Sequence, residues 1–372
     1  MRIALICHPH HPIREPWAGG MEMHTALLTR ALLERGHEIT LYAKEGSDVP
    51  AGARFIQIES ADHEYELNPD EQRGVLQAQR SEDAIRRACA MIAQGAVDAS
   101  EFDLVVNNSL SPLPHELLDQ RRLLTIMHSP VPVPAFVEFF ARTPELPERH
   151  RFVTVSESNA EAWREHHRVV GVLPNGVDID YWSCAPVMPE RTQQRPVALW
   201  TGRITHQKGL HVAIEAAREA GAELRISGLR SDPGYFEEKI APHLRDLTEA
   251  GTSTSADLAA PVYLGHLSHG EIREQLAGAD VFIASPLWAE PFGLAPVEAM
   301  ATGTPVAATP RGAMPEVIGE GGAVAASADP SDLAQAIRDA LRITPEAARA
   351  NAGRYSLAAM ALRFEHLVAR IP

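Results

Sequence analysis

The chain is 372 residues long and carries a formal net charge of −15. This length suits two domains better than one, and the acidic balance argues against a nucleic-acid ligand, which requires a basic surface. No apolar stretch approaches the roughly 20 residues that cross a bilayer. The three cysteines, Cys7, Cys89 and Cys184, show no CxxC spacing. These features predict a cytoplasmic protein without a membrane span.

Short β-rich runs alternate with helical patterns along the chain, which is typical of doubly wound α/β domains with parallel sheets. In the first half the predicted strands are Arg2–Cys7, Glu38–Tyr42, Arg54–Ile58, Asp103–Asn107, Leu123–Met127, Arg151–Val155 and Val169–Leu173. In the second half they are Pro196–Thr201, Glu223–Ser227, Pro261–Leu264, Asp280–Ala284, Pro305–Ala308 and Gly322–Ala325. The two halves are therefore expected to form similar units.

A linker is predicted at Leu173–Asp178, where Pro174 breaks regular structure and Asn175-Gly176 favours a tight turn. It divides the chain into domains 1–174 and 175–356. The last residues, 357–372, space their apolar side chains as a helix with one apolar face.

Two features of the first half are candidates for ligand contact. Gly19-Gly20 precedes a helix predicted at Met23–Arg35, and paired glycines let the backbone approach a ligand at a helix N-terminus. His128 follows the strand Leu123–Met127, at the strand end where parallel sheets bind their ligands. A plain helix-entry turn and a structural histidine are the alternative interpretations.

A histidine cluster follows the first strand in His8-Pro9-His10-His11. Zinc sites recruit ligands at spaced positions, and no Cys or His pair elsewhere completes such a set. We therefore predict no metal site, and expect these histidines to line the acceptor side of the site.

The loop after the strand Pro196–Thr201 contains Gly202-Arg203 and Lys208-Gly209, and a helix is predicted from about His211. An arginine fork and a lysine point charge ahead of a helix N-terminus can hold a pyrophosphate. Gly-Arg and Lys-Gly pairs are also frequent in surface turns. Their position at the start of the second domain favours phosphate contact.

The run Glu290-Pro-Phe-Gly-Leu-Ala-Pro-Val-Glu298 follows the strand Asp280–Ala284. Glu290 is predicted in a turn, and Glu298 near the first turn of the next helix. Ionised carboxylates accept hydrogen bonds from sugar hydroxyls, and Gly293 lets N–H groups at the helix start approach a phosphate. Acidic residues in first helical turns also complement the helix dipole, so the two glutamates alone do not establish a site.

The ordered residues from Gly202 to Pro305 resemble the donor-site signature of retaining glycosyltransferases of family 4. The resemblance implies the GT-B fold, in which two Rossmann-like domains face a deep interdomain cleft and the C-terminal helix packs back on the first domain. It implies that Glu290 contacts the transferred sugar and Glu298 the ribose. The implied catalytic residues are Arg203, Lys208, Glu290 and His128, and the implied donor-binding residues are Gly20, Gly202, Phe292, Gly293, Leu294 and Glu298.

The implied reaction moves a hexose from a nucleotide sugar to an acceptor hydroxyl with retention, a UDP-sugar being favoured over GDP-mannose. Because no nucleophile–base pair is visible, a front-face displacement is expected, with Arg203 and Lys208 stabilising the leaving diphosphate without a metal or other cofactor. Basic clusters at Arg80–Arg87 and Gln120–Arg122 are diluted by acidic residues, so a soluble acceptor is favoured over a lipid. The alternatives are a non-catalytic sugar-nucleotide-binding protein and a GT-B epimerase or phosphorylase.

Overall fold

The computed structural model describes residues 1–62, 65–66, 70–94, 102–167, 169, 171–183, 195–244 and 260–372. The chain forms two compact units, one of Met1–Gly176 with Leu357–Pro372 and one of Val177–Ser356. Each is built on one parallel sheet, as the alternating pattern predicts. Cys184, one of the three cysteines, lies outside the described residues.

The first unit contains a seven-stranded sheet. Its strands are β1 Arg2–Cys7, β2 Glu38–Lys44, β3 Arg54–Glu59, β4 Leu104–Asn108, β5 Leu123–Met127, β6 His150–Thr154 and β7 Gly171–Val172. They lie in the order β3-β2-β1-β4-β5-β6-β7. The central strands are buried on both faces, which explains their continuous apolar sequences.

Helices connect these strands and cover the sheet. They are α1 Gly20–Glu34, α2 Glu71–Ala93, α3 Leu113–Leu117, α4 Pro134–Arg142 and α5 Glu157–Arg164. Around α4 and α5 the core is aromatic, and Phe136 contacts both Phe152 and Trp163 edge to face. This packing fixes the chain that follows β5, where His128 lies.

The second unit contains a six-stranded sheet. Its strands are β8 Val197–Thr201, β9 Glu223–Ser227, β10 Val262–Tyr263, β11 Val281–Ala284, β12 Val306–Ala308 and β13 Gly322–Val324. The order is β10-β9-β8-β11-β12-β13, so the direction of winding reverses between β8 and β11. Ligands of open α/β sheets bind outside the strand ends at such a reversal.

The helices of this unit are α6 Ile179–Ser183, α7 Leu210–Ala220, α8 Pro233–Tyr235, α9 His269–Ala277, α10 Leu294–Thr302, α11 Met314–Ile318, α12 Pro330–Ala340 and α13 Pro345–Ala352. Helix α7 follows β8 and helix α10 follows β11. The two loops at the winding reversal therefore both lead into helix N-termini.

The last helix, α14 Leu357–Val368, belongs to the first unit and packs against α1. Glu365 accepts two hydrogen bonds of 2.6 Å from the Arg35 guanidinium and lies 3.0 Å from His37 Nε2. These bonds lower the pKa of Glu365 to about 2, and those from Arg35 have the larger effect. The helix is therefore attached to the first unit by a bidentate ion pair.

We expect Glu365→Ala to lower the thermal midpoint by about 2–4 °C, the shift that a pair of this kind produces in a domain of this size. Because the folded-state pKa is lowered, the contribution is present above about pH 4.3 and is lost as the pH falls towards 2. Calorimetry at several pH values measures this. Asp339→Asn, which removes the exposed pair with Arg342, is the control; equal midpoints for the two variants would contradict the assignment.

Several predicted boundaries differ from the structure. The predicted strand Val169–Leu173 corresponds to β7, Gly171–Val172, and Pro261–Leu264 corresponds to β10, Val262–Tyr263, whose residues are in register with a neighbouring strand. Helix α1 begins at Gly20, ahead of the predicted Met23. The boundary between the units falls after Gly176, two residues beyond the predicted position.

Candidate active site

Lys208 is held at the end of a short turn between β8 and α7. It closes a 3-10 turn at His206–Lys208, and Gly209 then adopts a left-handed conformation (φ 65°). A Cβ at Gly209 would overlap the carbonyl oxygen of Ser285, and the Ser285 hydroxyl donates to the Lys208 carbonyl at 3.1 Å. The loops after β8 and β11 therefore touch through their backbones.

This contact brings Lys208 and Glu290 together. Lys208 Nζ lies 2.6 Å from Glu290 Oε2, and the two side chains are 26% and 12% exposed. Trp288 Nε1 donates to the same carboxylate oxygen at 2.9 Å. Lys208 Nζ also lies 5.5 Å from the centroid of the Trp288 ring. Two predicted site residues thus form one cluster, which we call the Lys208 cluster (Lys208, Trp288 and Glu290).

Trp288 was not among the predicted site residues. A tryptophan two residues before Glu290 was the available signal, but its orientation towards the carboxylate depends on the turn. The backbone of that turn is fixed by Ala313, whose N–H donates to the Glu290 carbonyl at 2.8 Å. Glu290 is therefore held at its main chain and at its side chain.

The start of helix α10 lies directly after this turn. Gly293 is the N-cap, with φ 88°, and Leu294 is the first helical residue. The first N–H groups of a helix have no partner within it and attract anions. Phe292, a predicted donor-binding residue, is 2% exposed, and its ring packs edge to face on Tyr355.

Glu298 is the fifth residue of α10, directly after the first turn near which it was predicted. Its side chain is buried, and burial raises its pKa to about 8. Burial therefore favours the protonated acid over the ionised, accept-only carboxylate. A protonated acid can both donate to and accept from a hydroxyl.

Arg203 is exposed and has no ion pair within the described residues. It follows Gly202, whose N–H donates to the Ser227 carbonyl at 3.1 Å. The structure therefore does not bring Arg203 into the Lys208 cluster, although both residues lie on the same loop.

His128 lies after β5 in the first unit, and its environment is buried and polar. Its Nε2 is 2.7 Å from Asn108 Oδ1, at the end of the neighbouring strand β4. Burial, with His24 and His8 nearby, lowers the pKa of His128 well below its usual value. His128 is therefore neutral. Gly20 begins helix α1 in the same unit. The sequence analysis missed Asn108, for which the polar end of β4 was the available signal.

The His8–His11 cluster shows contacts among its own rings. His10 stacks on Tyr65 with 3.8 Å between ring centroids, and its Nε2 lies 2.8 Å from the Ser81 hydroxyl. Burial lowers the pKa of His8 to about 4 and that of His10 to about 2. Across the described residues, no three His, Cys, Asp or Glu side chains are grouped to hold a metal ion.

The predicted basic clusters are occupied by intramolecular contacts. Arg86 pairs with Glu82, and Arg87 bonds the Ile58 carbonyl and Glu59. Arg122 donates to two carbonyls at the end of the chain. In the part of the chain that the structure describes, no helix combines the length and apolarity needed to cross a membrane.

Comparison with known families covers most of the chain. Residues 18–181 match the model described as glycosyltransferase family 4, and residues 189–356 match that of glycosyl transferases group 1. The chain belongs to the family 4 glycosyltransferases. Its fold is GT-B with two Rossmann-like domains, as the sequence resemblance implies.

Named relatives of this glycosyltransferase are similar over part of their length. It is 34% identical to glycogen synthase of Mycobacterium tuberculosis over 50% of the chain and 44% of that protein. It is 32% identical to 2-deoxystreptamine glucosyltransferase of Streptomyces kanamyceticus over 57% of the chain and 54% of the relative. The chain thus spans about half the length of these relatives.

A solved structure shares the fold over the whole length. Anabaena HepE in complex with UDP and glucose aligns with a TM-score of 0.68 and 17% identity, covering 99% of both chains. This likeness confirms the GT-B fold predicted from the sequence.

Proposed function

We propose that this glycosyltransferase moves a hexose from a nucleotide sugar to an acceptor hydroxyl with retention of anomeric configuration. The observation that carries the proposal is the 2.6 Å contact between Lys208 Nζ and Glu290 Oε2. The contact joins a lysine, which can bind phosphate, to a carboxylate, which can accept hydrogen bonds from sugar hydroxyls. Both lie at the winding reversal of the second sheet, next to the N-terminus of α10.

The proposed roles follow from the chemistry of each group. Lys208 and the exposed Arg203 bind the diphosphate and stabilise the charge that grows on it as the bond to the sugar breaks. N–H groups at Gly293 and Leu294 add dipolar stabilisation. Glu290 accepts hydrogen bonds from hydroxyls of the transferred sugar, and Glu298 bonds the ribose hydroxyls. His128 offers a neutral imidazole to a substrate hydroxyl.

The proposed displacement occurs on one face of the sugar. The bond from the anomeric carbon to the phosphate oxygen breaks while the acceptor oxygen forms its bond from the same side. The acceptor proton passes to the departing phosphate oxygen. No side-chain nucleophile is required, and the charge that develops lies on the diphosphate next to Lys208.

UDP-glucose is the first donor to test, ahead of GDP-mannose. HepE holds UDP and glucose, and one relative is named a glucosyltransferase. We propose a water-soluble acceptor and a cytoplasmic location, because Arg86, Arg87 and Arg122 are engaged in internal contacts and the chain carries a charge of −15. Free basic side chains are what an anionic lipid surface requires.

A donor panel with a mixture of sugar, cyclitol and aminocyclitol acceptors tests the proposal. Nucleoside diphosphate release that depends on an acceptor, with an anomeric coupling in the product equal to that of the donor, is the expected result. Binding without turnover would instead favour a non-catalytic sugar-nucleotide-binding protein. Conversion of the donor sugar without an acceptor would favour an epimerase, and transfer to inorganic phosphate a phosphorylase.

We expect transfer to be independent of added metal. Lys208 and Arg203 supply the positive charge that a divalent ion supplies in metal-dependent transferases. Initial rates measured in EDTA, and again with added Mg²⁺ or Mn²⁺, should agree within about twofold. Loss of activity in EDTA that is restored by either ion would overturn this cation-pair mechanism.

A further inference from the structure

A buried chain of hydrogen bonds leads from helix α1 to His128. The Thr25 hydroxyl donates to the Met21 carbonyl at 2.8 Å, and Asn108 Nδ2 donates to Thr25 Oγ1 at 3.1 Å. Asn108 Oδ1 lies 2.7 Å from His128 Nε2. Asn108 is 0% exposed, Thr25 3% and His128 9%. Buried polar networks of this kind fix the orientation of their members.

The Met21 carbonyl, at the start of this chain of hydrogen bonds, sets the direction of each bond that follows. A backbone carbonyl can only accept, so the Thr25 hydroxyl uses its proton on Met21 and accepts from Asn108. The Asn108 amide nitrogen must therefore face Thr25, and its oxygen must face His128. His128 Nε2 consequently carries the proton, and Nδ1 is the lone-pair acceptor.

The surroundings keep this imidazole neutral and fixed in place. Among the described residues, the titratable groups that face His128 are His24 on α1, whose ring centroid is 4.5 Å away, and His8 after β1. Burial lowers the pKa of His24 to about 3 and that of His8 to about 4. Both are therefore uncharged near neutral pH, and in the described part of the chain the charges that act on His128 include no carboxylate.

The main chain on either side of His128 is also held. Asn159 Nδ2 donates to the Met127 carbonyl at 3.0 Å, and Trp163 Nε1 donates to the Ser129 carbonyl at 2.9 Å. Both bonds come from helix α5. The ring position is thus fixed by the backbone, and its hydrogen-bonding pattern by Asn108.

We propose that Asn108 is a positioning residue that, with Thr25 and the Met21 carbonyl, holds His128 as the Nε2–H tautomer and keeps Nδ1 as an acceptor for a substrate hydroxyl. The substrate part rests on the proposed function, whereas the tautomer is a property of the protein alone. The two parts are therefore tested by separate measurements.

The first measurement is NMR of protein labelled with ¹⁵N in the histidine rings, with His128→Gln used for assignment. The unmodified protein should show His128 protonated at Nε2 and without titration from about pH 5 to 8. Asn108→Asp should raise the pKa of His128 into this range, because a carboxylate then faces Nε2–H and stabilises the imidazolium. An Nδ1–H tautomer in the unmodified protein, or unchanged titration in a folded Asn108→Asp, would overturn the proposal.

Two matched variants on α1, Thr25→Val and Thr29→Val, test the proposal even if Asn108→Asp does not fold. Thr25 and Thr29 are both buried and both donate to the carbonyl four residues earlier, at 2.8 Å, but only Thr25 contacts Asn108. Thr25→Val should release the Asn108 amide and populate the Nδ1–H tautomer, whereas Thr29→Val should not. The same spectrum for both variants would overturn the proposed control of the His128 tautomer by Thr25 through Asn108.

The substrate part is tested with UDP-glucose or the donor that the panel identifies. Thr25→Val and Asn108→Leu should reduce kcat/KM about tenfold, the lower end of losses on removing a residue that orients a histidine ligand, and Thr29→Val should not. Unchanged kcat/KM in a folded Asn108→Leu would refute the hydroxyl contact. Absence of transfer with any donor, alongside the expected NMR result, would refute the proposed function while leaving the tautomer assignment intact.

Discussion

Replacing Glu290 with Gln is expected to reduce turnover by about 10²-fold or more, the scale for removal of one preorganised polar group from an active site. Glutamine preserves size but cannot neutralise Lys208, which lies 2.6 Å from the carboxylate. It also cannot offer two negatively charged oxygens to sugar hydroxyls. Turnover of UDP-glucose, or of the identified donor, measures the effect.

The same variant should bind UDP as well as the parent, or more tightly. In the unliganded protein the Glu290 carboxylate competes with phosphate for Lys208, and Gln removes that competitor. Titration calorimetry with UDP measures the dissociation constant, and Glu274→Gln, at an exposed position on α9, is the control. Full turnover, or a large loss of UDP affinity, would contradict the assignment of Glu290 to the sugar.

Lys208→Ala and Arg203→Ala are each expected to reduce turnover by about 10²-fold or more, because each removes a charge that stabilises the leaving diphosphate. The structure distinguishes them by their effect on folding. Lys208→Ala leaves the mostly buried Glu290 carboxylate with the Trp288 N–H as its one side-chain partner among the described residues, so it should also lower the thermal midpoint. Arg203 is exposed and without an ion pair among the described residues, so Arg203→Ala should not lower the thermal midpoint.

Turnover, UDP affinity and thermal unfolding of both variants test this pair of predictions. Arg203→Lys keeps the charge but loses the fork that binds phosphate bidentately, and should be intermediate. Lys239→Ala, at an exposed lysine of the same unit, is the control. Activity within a few-fold of the parent would make Arg203 and Lys208 ordinary surface-turn residues.

The sheet strands were predictable because both faces of a parallel sheet are covered. The predicted bounds of β1, β5 and β9 agree with the structure at both ends. The mainly apolar runs of β1 and β5 end where polar and turn residues begin, so sequence and pairing coincide there. The short strands β7 and β10 were overestimated, since their length depends on which neighbouring residues pair.

The site was predictable only in part, for a different reason. The sequence order identified Glu290 and Lys208, 82 residues apart, and the structure brings them into contact. The partners Trp288 and Asn108 were missed, because their roles depend on which loops and strand ends become neighbours. The raised pKa of Glu298 was missed too, because it follows from burial within α10 and not from the residue type.

The discontinuity of the first unit has a consequence for how the chain folds during synthesis. Residues 177–356 form a compact unit whose two ends are paired, since the Val177 N–H bonds the Tyr355 carbonyl at 2.8 Å. Helix α14, which completes the first unit, leaves the ribosome after this segment. We expect the second unit to fold first and also alone, as a cooperatively unfolding fragment 177–356. A fragment without a thermal transition would show that it requires the rest of the chain.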